Sequence, residues 1–198
     1  VGMLAQAFLN KYPSESIVYD PRVIYNTEAV IAEHNGKAVI SKSGHSFIKQ
    51  VMRDSGAVYG GEMSAHHYFR DFFYCDSGMI PWLLTIELLS ITGKTLSELV
   101  SGYIKAYPSS GELNFHLTTH DASTIISAIE EKFSVQNPIK STLDGLSLNF
   151  SEWRFNLRAS NTEPLIRLNI ESRGDTELLT IKTQEIQQWL ATQGAIPA

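Results

Sequence analysis

The sequence predicts an α/β plus α+β chain: a three-layer α/β mixed-sheet domain followed by a smaller antiparallel-sheet domain with two helices on one face. In the first part, short apolar strand patterns alternate with helical patterns, which is typical of an α/β layer. In the second part, segments with an apolar/polar period of two lie between two amphipathic helical patterns. A cluster of Pro, Ser and Gly at 105–111 separates these two regions, so we predict domains at 1–104 and 112–198 with a linker between them.

Helical and strand patterns alternate through the first domain. The predicted helices are 2–12, 24–34, 44–54, 78–91 and 95–103, and the predicted strands are 16–19, 38–41 and 57–60. Pro13 ends the first helix because proline cannot continue the backbone hydrogen bonding. Thr95 and Glu98 have the spacing of a capping box, which predicts a helix start. The aromatic segment 68–74 shows no period, and we predict irregular structure that serves packing.

The second domain is dominated by alternating strand patterns. Its predicted strands are 112–117, 146–150, 153–158 and 165–171, and its predicted helices are 121–133 and 176–191. Asp121 has the residue type of an N-cap, and Asp144-Gly145 is typical of a tight turn before a strand. Because sequential strands with short connections pair antiparallel, we expect a mostly antiparallel sheet covered by the two helices.

Composition excludes several classes of function. The net charge of −5 and the absence of a dense basic stripe argue against a nucleic-acid partner. No apolar run reaches the length of a membrane span, so we expect no membrane partner and a cytoplasmic location. Cys75 is the single cysteine, which leaves no disulfide framework and no thiolate metal cluster. The first residue is Val1 and the chain opens directly into a helical pattern, so we expect that it starts within a longer protein.

One turn in the second domain has the composition of an anion site. The segment Arg158-Ala159-Ser160-Asn161-Thr162-Glu163-Pro164 joins two predicted strands. An arginine offers a permanently charged fork of donors, and Ser, Asn and Thr add short neutral donors, so the turn suits a phosphate. The same three residue types are ordinary turn formers, so residue types alone leave a plain turn as the alternative.

In the first domain, polar residues follow three predicted strands. Arg22 follows the first, 42–45 (Lys-Ser-Gly-His) follows the second, and 61–67 (Gly-Glu-Met-Ser-Ala-His-His) follows the third. If these strands are parallel neighbours, the three loops share one edge of the sheet and form a polar cleft. Glu62 and Ser64 are two residues apart, so an extended loop directs both toward one ligand, where they suit sugar hydroxyls as acceptor and donor.

The histidine pair His66 and His67 permits several interpretations. Adjacent side chains in an extended segment point apart, and no third ligand has suitable spacing, so the sequence does not predict a metal site there. A surface or core pair of histidines is the more common structural alternative to a catalytic role.

Two motifs together carry a resemblance to a known family. The segment G-G-E-M-S-A-H at 60–66, followed by R-A-S-N-T-E-P at 158–164, resembles the third and fourth domains of the α-D-phosphohexomutases, in their bacterial phosphomannomutase branch. The segments S-K-S-G-H at 41–45 and D-P-R at 20–22 precede them at the positions this family has. The resemblance covers essentially the whole chain.

The resemblance implies roles for specific residues. It implies that Glu62 and Ser64 read the sugar hydroxyls, that His66 transfers a proton or acts electrostatically, and that His45 belongs to the same catalytic group. It also implies a clamp for the phosphate that does not react, and the residues of this clamp are Arg158, Ser160, Asn161 and Thr162. Arg22 replaces a lysine found in some members, and because arginine stays protonated it is expected to act electrostatically. Ala65 replaces the commoner glycine of the sugar loop, which restricts that backbone.

Two motifs of the family are missing from the sequence. Members carry a phosphorylated serine in a T-A-S-H-N-P-type loop and bind Mg²⁺ through a D-G-D-x-D-R loop, and neither loop occurs in the 198 residues. The resemblance therefore implies that Mg²⁺ is a cofactor of the complete enzyme, with ligands outside this chain, that the chain itself binds no metal, and that two amino-terminal domains are its partners.

The function implied by the resemblance is that of a phosphomannomutase half. The complete enzyme is expected to interconvert mannose 6-phosphate and mannose 1-phosphate through a bisphosphorylated sugar, and this half is expected to be inactive alone. Met63 favours the mannose and glucose branch over the glucosamine branch, so a phosphoglucomutase remains an alternative. A sugar-phosphate-binding module without catalysis, or a purely structural domain, are the alternatives from other classes.

Overall fold

The chain forms two compact units. The structure is a computed structural model that describes residues 1–160 and 163–198. The first unit is Val1–Ile104 and the second is Lys105–Ala198. The segment 105–111, expected to be a linker, lies largely in regular structure, since a helix ends at Ala106 and a strand begins at Ser109.

The first unit has five α-helices and five short strands among its described residues. The helices are α1 (Gly2–Lys11), α2 (Tyr25–Glu33), α3 (His45–Ser55), α4 (Met79–Thr92) and α5 (Leu96–Ala106). The strands are β1 (Ser16–Tyr19), β2 (Lys37–Ile40), β3 (Tyr59–Gly61), β4 (His67–Phe69) and β5 (Cys75–Asp76). All five helices and the first three strands confirm the sequence-based assignment to within two residues, except that α5 runs on to Ala106.

The sheet of the first unit is mixed and has the order β2-β1-β3-β4-β5. Strand β1 is parallel to both β2 and β3, and β4 and β5 are added antiparallel. On one face, Ile48 and Met52 of α3 pack against Val18 of β1. On the other face, Phe8 of α1 stacks on Tyr59 with 5.2 Å between ring centroids, which completes the three layers. The carboxyl ends of β1, β2 and β3 therefore lie at one edge of the sheet, as predicted.

The prediction of irregular structure at 68–74 was wrong in part. Tyr68 and Phe69 lie in β4, which pairs with β3 in the register Tyr59 to Phe69. A single 3₁₀ turn, Arg70–Phe72, then leads to β5. These strands have two and three residues, which is too short for an alternating pattern to be visible in the sequence.

The second unit contains one antiparallel sheet and two helices. Its elements are β6 (Ser109–Leu117), α6 (Ala122–Ser134), β7 (Ile139–Ser141), β8 (Leu146–Asn149), β9 (Trp153–Ala159), β10 (Leu165–Ser172), α7 (Thr176–Thr192) and β11 (Ala195–Pro197). The strand order is β11-β6-β10-β9-β8-β7. The short edge strands β7 and β11 were not predicted. Both helices contribute to the core on one face of the sheet, through Ile129 and Phe133 of α6 and Ile186 and Leu190 of α7.

Side-chain caps confirm two of the predicted helix starts. The Asp121 carboxylate accepts a hydrogen bond from the Thr124 amide at 2.7 Å. At α5, the Thr95 amide donates to Glu98 Oε2 at 2.8 Å, and the Glu98 amide donates to Thr95 Oγ1 at 3.3 Å, which is the predicted capping box. Among the described residues, none of the helices combines the length and the apolar character needed to cross a bilayer.

Candidate functional site

The loop after β1 holds a buried ion pair at the carboxyl edge of the first sheet. The Arg22 guanidinium donates from Nη2 to Asp20 Oδ2 at 2.6 Å, and the Arg22 amide donates to Asp20 Oδ1 at 3.0 Å. Asp20 also accepts from the Met63 amide at 2.7 Å, which ties this loop to the one after β3. Both side chains are almost fully buried. Asp20 therefore holds the Arg22 guanidinium in place at this edge of the sheet.

Glu62 joins the three strand-end loops. Its Oε2 accepts from the Gly44 amide at 3.0 Å and lies 3.5 Å from Arg22 Nη2, and its Oε1 accepts from the Tyr68 hydroxyl at 2.6 Å. Gly44 has φ +120°, a conformation that favours glycine, and this conformation aims its N–H at the carboxylate. Since Glu62 is 4% exposed, its orientation is fixed by these contacts before any ligand binds.

Ser64 lies on the exposed side of the same loop. Its hydroxyl accepts from Arg22 Nη2 at 3.1 Å, so Glu62 and Ser64 both lie next to the same guanidinium nitrogen. The next residue, Ala65, has φ +64°. This left-handed conformation is less favourable for alanine than for glycine, because alanine has a Cβ atom. The substitution of Ala for Gly noted in the sequence thus falls at the one strained position between the two candidate site residues Ser64 and His66.

The two adjacent histidines point to different partners, as expected from the sequence. The His66 ring bonds through Nδ1 to Asp76 Oδ2 at 2.7 Å, and the His67 ring bonds through Nδ1 to the Tyr59 hydroxyl at 2.8 Å. Burial, and next the charge at the amino terminus of Val1, lower the pKa of His67 to about 4, so this ring is neutral at pH 7.

Asp76 lies between two histidines. Its Oδ2 is 3.9 Å from His45 Nε2, and the rings of His45 and His66 meet edge to face at 4.3 Å. Burial acts to raise the pKa of Asp76, but the hydrogen bonds from the His67 amide and the His66 ring, together with the histidine charges, outweigh it and lower that pKa. Asp76 is therefore ionised at pH 7.

These residues form one group, which we call the strand-end cluster. Its members share the carboxyl edge of the first sheet and the two added strands: Asp20, Arg22, His45, Glu62, Ser64, His66 and Asp76. The ring of Tyr68 contacts His45 at 5.3 Å and its hydroxyl contacts Glu62, so Tyr68 connects the histidines to the carboxylates. Burial, the bond to Glu62 and the surrounding carboxylate charges raise the pKa of Tyr68, which stays a hydrogen-bond donor.

In the second unit, the paired strands β9 and β10 carry a row of charged and polar side chains. Opposite residues in the register form three polar pairs, which we call the arginine ladder: Arg154 with Glu171, Asn156 with Asn169, and Arg158 with Arg167. The first pair is a buried salt bridge at 2.7 Å. In the third pair, two like charges face each other, an arrangement that is destabilising without an anion nearby.

Glu112 of β6 lies between the two arginines of the third pair. Its Oε2 is 3.0 Å from Arg158 Nη2, and its Oε1 is 3.3 Å from Arg167 Nη1. Arg167 Nη2 also donates to Ser160 Oγ at 3.4 Å and to Glu163 Oε2 at 3.1 Å. The buried Nε atoms of Arg158 and Arg167 have no hydrogen-bond partner in the described part of the chain. Glu112 thus holds the two guanidinium groups side by side.

The turn between β9 and β10 is described only in part. Ser160 is held by a bond from its amide to the Leu165 carbonyl at 2.8 Å. The structure thus places two of the four expected clamp residues, Arg158 and Ser160, both in contact with the network around Arg167. The other two, Asn161 and Thr162, lie outside the described residues.

Several residues of these two regions were missed by the sequence reasoning. They are Asp20 and Asp76 of the strand-end cluster, Arg167 of the arginine ladder, and the residues in contact with them, Tyr68 and Glu112. The sequence could have predicted Arg167. Residues 158 and 167 lie at similar distances from the turn of one hairpin, so they are expected to pair and to point to the same face of the sheet. Asp76 and Glu112 had no such signal, since each meets its partners through pairing with a strand distant in sequence.

The donor groups present do not suit Mg²⁺. Magnesium prefers oxygen ligands in octahedral geometry, usually from carboxylates. The one group of three His, Cys, Asp or Glu side chains that converges in the described part of the chain is His45, His66 and Asp76, which has two nitrogen donors. The residues described here therefore do not fit the magnesium of the family.

The fold and the two regions define a class of protein. The first unit carries acceptors and histidines at the carboxyl edge of its strands, and the second carries paired arginines beside a turn. Residues 1–107 match the family model for phosphoglucomutase/phosphomannomutase alpha/beta/alpha domain III, and residues 112–188 match the model for the C-terminal domain of the same family. The chain belongs to the phosphoglucomutase/phosphomannomutase family.

Named relatives agree with this assignment. A phosphomannomutase from Salmonella montevideo is 54% identical over 190 residues, which cover 96% of this chain and 41% of the relative. A protein of Xanthomonas campestris pv. campestris strain B100, described as phosphohexose mutases, is 52% identical over 190 residues. These residues cover 96% of this chain and 42% of that protein. The chain thus spans about two fifths of the length of these relatives.

Solved structures show the same fold. A phosphoglucomutase/phosphomannomutase family protein from Burkholderia thailandensis matches 98% of the chain with a TM-score of 0.76 and 26% identity, and 42% of that protein is covered. A protein from Thermus thermophilus described as a putative phosphomannomutase matches with a TM-score of 0.69 at 17% identity, which supports the fold alone.

Proposed function

We propose that the chain is the sugar- and phosphate-binding half of a phosphomannomutase that interconverts mannose 6-phosphate and mannose 1-phosphate. The observation that carries the proposal is the convergence of Arg22, Glu62 and Ser64 with the His66–Asp76 pair at one sheet edge. The names of the Salmonella and Xanthomonas relatives support the reaction class. The reaction passes through a bisphosphorylated sugar, and the serine that carries the phosphoryl group and the Mg²⁺ ligands belong to the rest of the enzyme.

The strand-end cluster would bind the sugar. A carboxylate and a hydroxyl beside one guanidinium suit vicinal hydroxyl groups, since Glu62 accepts and Ser64 both donates and accepts. Glu62 retains acceptor capacity beyond its present contacts, because each carboxylate oxygen can accept two hydrogen bonds. Arg22 would stabilise negative charge on the phosphoryl group, as a fixed cation does without moving.

His66 would transfer the proton. With Nδ1–H donated to Asp76, the lone pair lies on Nε2, which is then the atom that takes a proton from the attacking sugar hydroxyl. Asp76 fixes this tautomer and stabilises the imidazolium that forms. The 42% exposure of the His66 side chain leaves it accessible to substrate. His45, whose ring contacts that of His66, would add to the positive potential when protonated.

The arginine ladder would hold the phosphate that does not react. A phosphate beside Arg158 and Arg167, which Glu112 already holds together, would accept charge-assisted hydrogen bonds from their guanidinium groups. Ser160, Asn161 and Thr162 would complete the clamp. Because the sugar must be bound in two orientations during one turnover, a clamp that recognises only phosphate serves both.

A chimaera tests the reaction. We expect that this chain, joined to the amino-terminal part of the Salmonella montevideo phosphomannomutase in place of its matching 190 residues, restores turnover in a coupled assay with mannose 1-phosphate. His66→Ala in the chimaera should lower kcat by roughly 10²- to 10⁴-fold, as expected for loss of a general base. A folded chimaera without activity would contradict the proposal, and turnover of glucose phosphates alone would favour a phosphoglucomutase.

A binding measurement on the isolated chain distinguishes a sugar-phosphate-binding protein from a purely structural domain. Arg158→Ala should weaken binding of mannose 1-phosphate by about 1.5–3 kcal/mol, as expected for a charge-assisted hydrogen bond, in a calorimetric titration. Arg173→Ala is the matched control, because this exposed arginine lies on the same unit but bonds to Ser151 rather than to the ladder. Equal affinity of wild type and Arg158→Ala would favour a structural domain, and metal-dependent turnover by the isolated chain would overturn the expectation that it is inactive alone.

A further inference from the structure

Three side chains with metal-binding atoms meet at the edge of the strand-end cluster. His45 is the first residue of α3, His66 precedes β4, and Asp76 ends β5. One ligand atom from each lies within 4.8 Å of the others. Asp76 Oδ2 is 2.7 Å from His66 Nδ1 and 3.9 Å from His45 Nε2. The sequence offered no third ligand near the histidines because the two strands that bring Asp76 into place are invisible in the pattern.

The donor set and its spacing match a transition metal. Zinc binds histidine nitrogen and carboxylate oxygen at about 2.0–2.2 Å, so neighbouring ligand atoms in a tetrahedral site lie roughly 3.3–3.6 Å apart. The two observed separations from Asp76 Oδ2, 2.7 and 3.9 Å, lie on both sides of that range, so the side chains would rotate to bind the ion. Three protein ligands with an open fourth position is the arrangement of solvent-accessible zinc sites, whereas magnesium would prefer more oxygen ligands.

The surroundings favour a cation at this position. The His67 amide donates to Asp76 Oδ1 at 2.9 Å, which leaves Oδ2 directed at both histidines. The side chains of His45 and His66 are 52% and 42% exposed, so an ion can enter from solvent. Within the strand-end cluster, the three carboxylates of Asp20, Glu62 and Asp76 outnumber the single guanidinium of Arg22, which gives a negative local charge when the histidines are neutral.

We propose that His45, His66 and Asp76 form a binding site for a divalent transition metal ion, with Zn²⁺ as the preferred ion and solvent as its fourth ligand. On binding, the neutral His66 ring gives up its Nδ1 proton and takes one up at Nε2, so the ring stays neutral and the metal binds the Nδ1 lone pair beside Asp76. Zn²⁺ and proton transfer by His66 then exclude each other, so the ion inhibits any reaction that uses this histidine. Metal binding itself does not depend on the proposed mutase activity.

The test uses the 198-residue chain, whose sequence contains no D-G-D-x-D-R loop to bind a competing ion. Calorimetric titration with ZnCl₂ should give one ion per chain, and Co²⁺ should produce the strong visible absorption of a tetrahedral site. His45→Ala, His66→Ala and Asp76→Asn should each weaken Zn²⁺ binding by at least about tenfold, because each removes one of three ligands.

Matched variants keep the result interpretable. His120→Ala and Asp71→Asn change the same residue types outside the three-residue group and should leave the affinity unchanged. Circular dichroism of each variant verifies that it is folded. Absence of Zn²⁺ binding at micromolar concentrations would overturn the proposal, as would one-to-one binding that His66→Ala and Asp76→Asn leave intact. Failure of the chimaera in the mutase assay would leave this result unaffected, so the two proposals fail separately.

Discussion

The strand-end cluster and the arginine ladder organise charge in opposite ways. In the cluster, the charged and polar side chains come from loops that are far apart in sequence: Arg22 contacts Ser64, 42 residues away. In the ladder, Arg158 and Arg167 belong to one hairpin and are fixed by its register. The cluster has an excess of acceptors and suits hydroxyl groups, whereas the ladder has paired cations and suits an anion.

The two regions also differ in whether the same residues stabilise the fold and are proposed to bind the ligand. The ladder would separate them, with a buried salt bridge at Arg154–Glu171 and the proposed phosphate-binding pair Arg158–Arg167 four residues away along each strand. In the cluster the two would coincide, because Glu62 bridges the loops and is also the residue proposed to bind sugar hydroxyls. Substitutions should therefore separate stability from binding in the second unit and affect both in the first.

The largest expected effect is on the structural end of the ladder. Glu171→Leu leaves the Arg154 guanidinium buried without its carboxylate, which should destabilise the second unit by about 3–5 kcal/mol. Urea denaturation, with hydrogen exchange used to monitor each unit separately, measures this loss of stability. The first unit should keep its stability. The control is Glu163→Leu, since this carboxylate is exposed and its loss should cost less than about 1 kcal/mol. Equal effects of the two variants would show that the ladder is not divided in this way.

A substitution of Glu62 is expected to have a smaller effect on stability and to lower sugar-phosphate affinity at the same time. Glu62→Gln removes the charge that accepts from Gly44 and Tyr68 and places an amide donor opposite one of them, so unfolding of the first unit should become easier by about 2 kcal/mol. Sugar-phosphate affinity should fall in the same variant. Glu15→Gln is the control, because its partner Arg70 and the bond between them are partly exposed. A loss of affinity without loss of stability would mean that the cluster separates the two functions as the ladder does.

The first unit should lose stability in mild acid because of His67. Its pKa is about 4 in the folded chain and about 6.5 when unfolded, so the unfolded state binds more protons between these values. The stability that the neutral His67 ring contributes is complete above pH 6.5 and is lost as the pH falls toward 4. Since the ring is partly exposed, we expect on the order of 1–2 kcal/mol. Denaturation at several pH values measures it, and His67→Gln should flatten the profile in this window; an unchanged slope would rule out His67 as the cause.

The smallest expected effect is a gain in stability at Ala65. Ala65→Gly relieves the left-handed backbone at φ +64°, and after the greater entropy of unfolded glycine is deducted the first unit should gain roughly 0.5–1 kcal/mol. Thermal denaturation measures it. Ala57→Gly is the control at a buried position without positive φ, where the same change should destabilise. If Ala65→Gly also lowers sugar-phosphate affinity, the strain at Ala65 helps to orient the loop for binding.

Much of the fold could be predicted because its signals are local. The helices α1 to α7 carry helical spacing or caps, such as Asp121 and the Thr95–Glu98 box, that depend on neighbouring residues alone. The longer strands β9 and β10 show a clear period of two. The short strands β4, β5, β7 and β11 were missed because two or three residues cannot display a period, and their strand character comes from pairing with a neighbour.

The sequence by itself determined the class of fold, the family resemblance and the loops in which polar residues gather, since these depend on short motifs and periodicity. Only the tertiary structure decided which side chains meet. It brought Asp76 to His45 and His66, placed Glu112 between two arginines, and buried Glu62 in contact with all three strand-end loops. The physical reason is that strand order and register place residues that are distant along the chain next to one another, and no local pattern encodes those pairings.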